Sequence, residues 1–255
     1  MASVAQTTPR AALRVIPEQH PAPAHDTNPL RVLPQFYETL EAALGPMHWW
    51  PAKTPFEVIV GAILTQNTAW VNVERAITDL RKARTLTPRA LERVPSARLG
   101  QLIRSSGYFR QKAKKLKAFV RFLRRDFGGS LARMFRTPTA ALRERLLSVH
   151  GIGRETADSI LLYAGNHPIF VVDAYTKRIL ERHGMVGEKA GYEEVRALFE
   201  NNLPADAKLY NEYHALLVNV GKNWCRTRAP RCDECQLGPY LDLAASPGAK
   251  PERKQ

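Results

Sequence analysis

Between Leu146 and Asp158 the chain reads Leu-Leu-Ser-Val-His-Gly-Ile-Gly-Arg-Glu-Thr-Ala-Asp, and the apolar run Ile169 to Val172 then ends in one carboxylate, Asp173. This order predicts a helix, a tight glycine turn, a second helix and a short extended stretch. Gly151 and Gly153 leave the turn without Cβ bulk, so φ > 0 is open and another backbone can approach closely. Amides of such a turn, at the start of the following helix, point outward and form a site suited to a phosphate. A chain built this way is committed to helices that meet at a hairpin.

The rest of the chain agrees. Phe56, Ile59, Val60, Ile63 and Leu64 keep the spacing that lines one helix face, and Leu142, Leu146 and Val149 do so after a Thr137-Pro138 start signal. Ala157, Ile160, Leu161 and Ala164 extend the pattern past the hairpin to a stop at Gly165. Asp173 precedes a helix carrying Ile179 and Leu180 that His183-Gly184 closes, and Leu209, Tyr213, Leu216, Leu217 and Val220 mark a late helix. Alternating strands are absent, so the fold class is all-α. Residues 1–29 hold five prolines and read as a disordered leader, and residues 244–255 read as a disordered tail.

The formal net charge is +14 over 255 residues, with a pI of about 10.0, which points to a polyanionic partner. From Arg104 to Arg125 there are nine Lys or Arg and no acid, interleaved with Tyr108, Phe109, Phe119 and Phe122. By itself this reads as a helix with a solvated basic face and an aromatic face turned to the core. No apolar run is long enough to span a membrane, and the N-terminus lacks the apolar core of a secretory signal. Serine, threonine and arginine without an acid before Glu18 give it the composition of a transit peptide, although a flexible leader accounts for it. Three cysteines near the C-terminus make no disulfide framework and suggest an intracellular protein with a metal site.

Taken alone, the candidate site residues have ordinary explanations. Asp173 stands where a helix N-cap is wanted, and Lys177 could pair with it one turn on. Glu155 is an acid in a first helical turn, where the helix dipole favours it. Thr65-Gln66-Asn67-Thr68 is a polar helix end. Cys225-x6-Cys232-x2-Cys235 is a thiol loop that could hold metal or remain free.

Together these residues resemble the helix-hairpin-helix glycosylases of the endonuclease III superfamily, over roughly Leu33 to Cys235. The resemblance implies two helical lobes, one formed by residues 55–165 and the other by 30–54 together with 166–243. Double-stranded DNA with a damaged base would lie across the cleft between them. It makes Asp173 the catalytic carboxylate and places Glu155 at the position of the Schiff-base lysine, which implies base excision by water without efficient strand cleavage. It assigns DNA contacts to Gln66, Asn67, Gly151, Ile152, Gly153, Arg154 and Thr156, and to Lys112, Lys114 and Lys115 of the basic stretch. The runs Gly61 to Thr68, Gly151 to Glu155 and Val172-Asp173 are most similar to the branch that removes alkylated purines such as 3-methyladenine. Cys225, Cys232 and Cys235 match three ligands of that superfamily's [4Fe-4S] cluster, while Leu241 occupies the fourth position, leaving Tyr240, Asp242 or solvent for the fourth iron. Three cysteines plus another ligand for zinc fit less well, because no histidine follows nearby. A cytoplasmic, nucleoid-associated monomer is the expected setting. Two readings stay open beside this one: a bifunctional glycosylase and abasic-site lyase acting on oxidised pyrimidines, and a DNA-binding protein without catalysis.

Overall fold

Helix α2 (Pro55–Leu64) is apolar on every side, and its surroundings decide the architecture. All residues from Phe56 to Leu64 are buried, including Glu57, which pairs with Arg81 at 2.6 Å. The single-face stripe expected for it is therefore too narrow, because α3 (Trp70–Lys82), α6 (Phe109–Phe127) and α9 (Arg154–Ser159) pack around it. The computed structural model describes residues 28–47, 50 and 52–241. The tail expected at 244–255 and most of the leader fall outside them; α1 (Pro29–Leu44) begins one residue inside the expected leader, capped by Asn28.

Twelve α-helices and no strand occur among the described residues, so the all-α class holds. Short helices α4 (Pro88–Arg93), α5 (Ser96–Leu102) and α7 (Leu131–Met134) pack against α6. Helices α8 (Thr139–Leu147) and α9 form the hairpin, with Pro138 rather than Thr137 at the N-cap of α8. Helix α9 runs into one π turn, Ile160–Ala164, that Gly165 ends. Beyond it, α10 (Ala174–Arg182) packs on α12 (Ala207–Asn223), and α1 packs on α12 and α11 (Tyr192–Asn202). One continuous apolar core runs from Val32 to Leu237.

Candidate active site

The hairpin, the end of α2 and the start of α10 converge on one cleft of about 1010 Å³. Its wall includes Gln66, Asn67, Lys115, Gly151, Gly153, Glu155 and Asp173, residues far apart in sequence. Trp50, Trp70 and Tyr163 form an aromatic side. Trp50 stacks on Tyr163 at 5.0 Å between ring centres and meets Trp70 edge-on at 5.3 Å.

Asp173 is the N-cap of α10, and its Oδ1 accepts the Thr176 N–H at 2.8 Å. Its Oδ2 lies 3.7 Å from His214 Nε2 on α12, and the side chain is 15 % exposed. Capping thus fixes the carboxylate's direction while leaving it on the cleft wall. The i, i+4 pair with Lys177 does not form; the carboxylate turns to the Thr176 amide and His214 instead. Glu155, in the first turn of α9, lines the same cleft and stays open to solvent on one side. Burial and the charge of Asp173 push its carboxyl up to about 7.

Gly151 has φ +82°, and a Cβ there would fall 2.3 Å from Cγ of Lys115, so this glycine is required by both backbone and neighbour. Gly153 has φ −92°, and a Cβ there would meet open space. Gln66 is tied into the hairpin: its Nε2 donates to the Gly151 carbonyl at 3.1 Å and to Thr156 Oγ1 at 2.9 Å, and Lys115 Nζ donates to its Oε1. Asn67 beside it is exposed in left-handed backbone, φ 54°.

Several expected DNA contacts point elsewhere. Lys112 is 2 % exposed, and its Nζ donates to the carbonyls of Leu64 at 2.9 Å and Ser106 at 2.6 Å. It closes the end of α2 rather than facing a phosphate, and burial lowers its amine to about 8. Its place on the stripe Lys112, Leu116, Phe119, Leu123 was the available signal, since all four are buried. Ile152 is buried and donates its amide to Val149, and Thr156 is buried with its hydroxyl on Gln66. Lys114 and Arg154 are exposed, as a contact surface requires, with Arg154 also 3.1 Å from Glu193. The basic stretch is not one solvated face either: Lys117 turns inward to cap α4 through the carbonyls of Leu91 and Glu92.

Cys225, Cys232 and Cys235 line one small cavity with Arg182, His183 and Leu241. The three thiols share this cavity, and Leu241 brings an alkyl side chain to it. Tyr240 does not add a ligand there, because its hydroxyl bonds Thr39 at 2.8 Å; Asp242 lies outside the described residues. The cavity has a volume of about 10 Å³, room for one water. Among the described residues no group of three or more metal-ligating side chains is drawn together at coordination geometry.

A helical protein with a glycine hairpin, a capping carboxylate and an aromatic cleft between them defines a narrow class. Residues 60–205 match the model of the HhH-GPD superfamily of base excision DNA repair proteins, and the chain belongs to that family. It is 46 % identical, over 82 % of its length and 96 % of the relative's, to a protein of Methanocaldococcus jannaschii provisionally named a DNA repair glycosylase. It is 33 % identical to endonuclease III of Thermotoga maritima over 74 % of this chain and 83 % of that one. Among solved structures, the H. pylori 3-methyladenine DNA glycosylase bound to 1,N6-ethenoadenine aligns with TM-score 0.64 and 29 % identity, covering 76 % of this chain and 97 % of that one. A non-covalent endonuclease III–DNA complex shares the fold, with TM-score 0.71 and 22 % identity over 84 % of this chain and 95 % of that one.

Sequence reasoning missed Tyr163, His214, Trp50 and Trp70. The two tryptophans had no periodic context to single them out, and Tyr163 reaches the cleft on a π turn that has no sequence signature.

Proposed function

We propose that this protein is a monofunctional DNA glycosylase that hydrolyses the N-glycosidic bond of alkylated purines in duplex DNA. The observation that carries the reading is Glu155: a carboxyl stands in the cleft beside Asp173, where an amine would be needed for covalent attack on the sugar. The C1′–N bond breaks with its electron pair leaving on the base, and the sugar acquires oxocarbenium character. The Asp173 carboxylate stabilises that charge and takes a proton from the water whose oxygen joins C1′. An abasic site in an intact strand results. The aromatic side of the cleft supports an alkylated substrate, since a purine made cationic by alkylation is attracted to Trp and Tyr faces. The likeness to a 3-methyladenine glycosylase supports the same choice. Exposed Lys114 and the outward amides at Gly153 and Arg154 are the proposed backbone grip. Cys225, Cys232 and Cys235 would hold three irons of a [4Fe-4S] cluster, which would tie the C-terminal loop together, and no step of base release passes through it.

One observation favours a bifunctional enzyme as the second reading. Lys115 and Lys222 line the same cleft as Asp173, so the cleft wall includes two amine-bearing side chains. Duplexes carrying single alkylated or oxidised bases separate the readings. The wild-type protein is expected to release alkylated purines, leave strands intact until alkali is added, and form little adduct on borohydride treatment. Asp173→Asn is expected to lower the rate by about 10²–10³-fold or more while retaining DNA binding. Efficient trapping by the wild-type protein would transfer the assignment to the lyase. Unchanged release by Asp173→Asn would remove Asp173 from the mechanism.

A further inference from the structure

Asp173 has two oxygens with different partners. Oδ1 accepts the Thr176 amide at 2.8 Å, and Oδ2 faces Nε2 of His214 at 3.7 Å. His214 is 4 % exposed, and Tyr163 Oη lies 2.5 Å from its Nδ1. Three elements build this row: the N-cap of α10 supplies Asp173, α12 supplies His214, and the π turn after α9 supplies Tyr163. A π turn inserts one residue, rotating the side chains beyond it by about 100° relative to an unbroken α-helix.

We propose that His214, set by the Tyr163 hydroxyl at its Nδ1, is a positioning residue that presents an Nε2–H to the catalytic carboxylate of Asp173. The inference rests on the role of Asp173 proposed above. A phenol has one proton to donate. When Tyr163 gives it to Nδ1, the single proton of a neutral imidazole sits on Nε2, which is the nitrogen facing Oδ2. Burial favours the neutral ring, with the charge of Asp173 opposing. A carboxylate rotation or a shift of about 0.5 Å closes the gap to hydrogen-bond range. The row also reaches the substrate side of the cleft. Tyr163 stacks on Trp50, and both line the cavity, so an occupant pressed against that wall bears on the tautomer of His214.

A donor on Oδ2, with the Thr176 amide on Oδ1, fixes the direction of the carboxylate at both oxygens. The other ionisable groups around Asp173 are Glu155 from α9, Lys115 from α6 and Lys222 from α12, with Lys177 on α10 itself. Tyr163 and Asp173 lie against His214, with the ring of Phe170 on a further side. Glu155 and the lysines are unchanged in the His214 and Tyr163 variants below.

Full-length protein with ¹⁵N-labelled histidine gives the first readout, with His214 assigned by its loss in His214→Gln. The wild-type ring is expected as the Nε2–H tautomer, its Nε2 resonance moving in Asp173→Asn, and Tyr163→Phe is expected to mix the two tautomers. The second readout is single-turnover base release. His214→Leu is expected to slow release about tenfold. His214→Gln, whose amide still carries N–H donors, should recover most of the rate. If His214→Leu fails to fold, Tyr163→Phe and His214→Gln carry the comparison, because both preserve the packing volume. A wild-type Nδ1–H tautomer, a resonance indifferent to Asp173→Asn, or equal release rates for wild type and His214→Leu would overturn the proposal. A wild-type protein that releases no base would fail the functional reading instead, while the resonance measurements still decide whether His214 serves Asp173.

Discussion

Glu155 is the residue whose identity and surroundings together say most about this cleft. Its carboxyl, ordinarily near 4.5, is raised to about 7 by burial and by Asp173. A raised folded-state value means that the folded protein holds this proton more tightly than the unfolded chain between about pH 4.5 and 7. Ionising Glu155 at neutral pH therefore costs stability, a cost absent below that window and complete above it. Glu155→Gln is expected to melt higher than the wild type at about pH 8, by about 1 kcal/mol once solvent in the open cleft is allowed for, and to melt alike near pH 4. Thermal unfolding at the two pH values checks this, and equal stabilities at about pH 8 would mean that water in the cleft relieves the carboxyl entirely. The position of Glu155 is legible from the glycine hairpin alone. Its environment is not, because Asp173 reaches it only once α9 and α10 are packed. His214 and Tyr163 are harder still, since each is a single polar residue within an apolar helical pattern.

At the scale of elements, the two hairpin glycines look equivalent in sequence and differ in the fold. Gly151 sits in left-handed backbone against Lys115, so any side chain there disturbs Lys115 and, through it, Gln66. Gly153 is extended and open, so alanine there costs no more than about 1 kcal/mol as an N-cap change. Gly153→Ala is accordingly expected to fold normally yet bind damaged and undamaged duplexes about equally more weakly, since this turn is proposed to grip phosphate and read no base. Affinity for both duplexes, measured beside the melting temperature, tests it; a change confined to the lesion duplex would place Gly153 at the base instead. Helix periodicity gives the elements well, but it makes α2 one-sided, because a central helix differs from a surface one only in what surrounds it. The cysteine loop is legible as a spacing, and its missing corner is equally legible at Leu241. Protein prepared without oxygen is expected to be brown, to absorb near ~400 nm, and to lose iron readily to chelators, since only three thiolates would anchor the proposed cluster. Colourless, iron-free protein would remove the cluster.

Across the whole molecule, a polar network centred on a buried carboxylate joins the hairpin to α11. Asp158 of α9 is fully buried and takes a two-pronged contact from Arg143 of α8, at 2.7 and 3.0 Å. Arg143 also reaches Glu193 of α11 at 2.8 Å, and the neighbouring Tyr192 donates its hydroxyl to Asp158 at 2.8 Å. The same hydroxyl accepts the Val172 amide at 3.4 Å, immediately before Asp173. Breaking the network on one side strands the other: Arg143→Met leaves a carboxylate in the core without its cation, a loss of about 3–5 kcal/mol. Asp158→Leu strands the arginine less severely, because Glu193 remains within its reach. Removing both charges replaces a desolvated pair with apolar surface, so Arg143→Met/Asp158→Leu is expected to be markedly more stable than Arg143→Met alone. Denaturant unfolding of the four proteins measures the coupling, which additive losses would show to be absent. Base release separates stability from alignment. Asp158→Leu takes the acceptor from Tyr192 and frees its hydroxyl from the Val172 amide, so the double variant should regain stability without regaining full rate. If the rate returned together with the stability, the network would brace the fold and leave the setting of Asp173 to its cap and to His214.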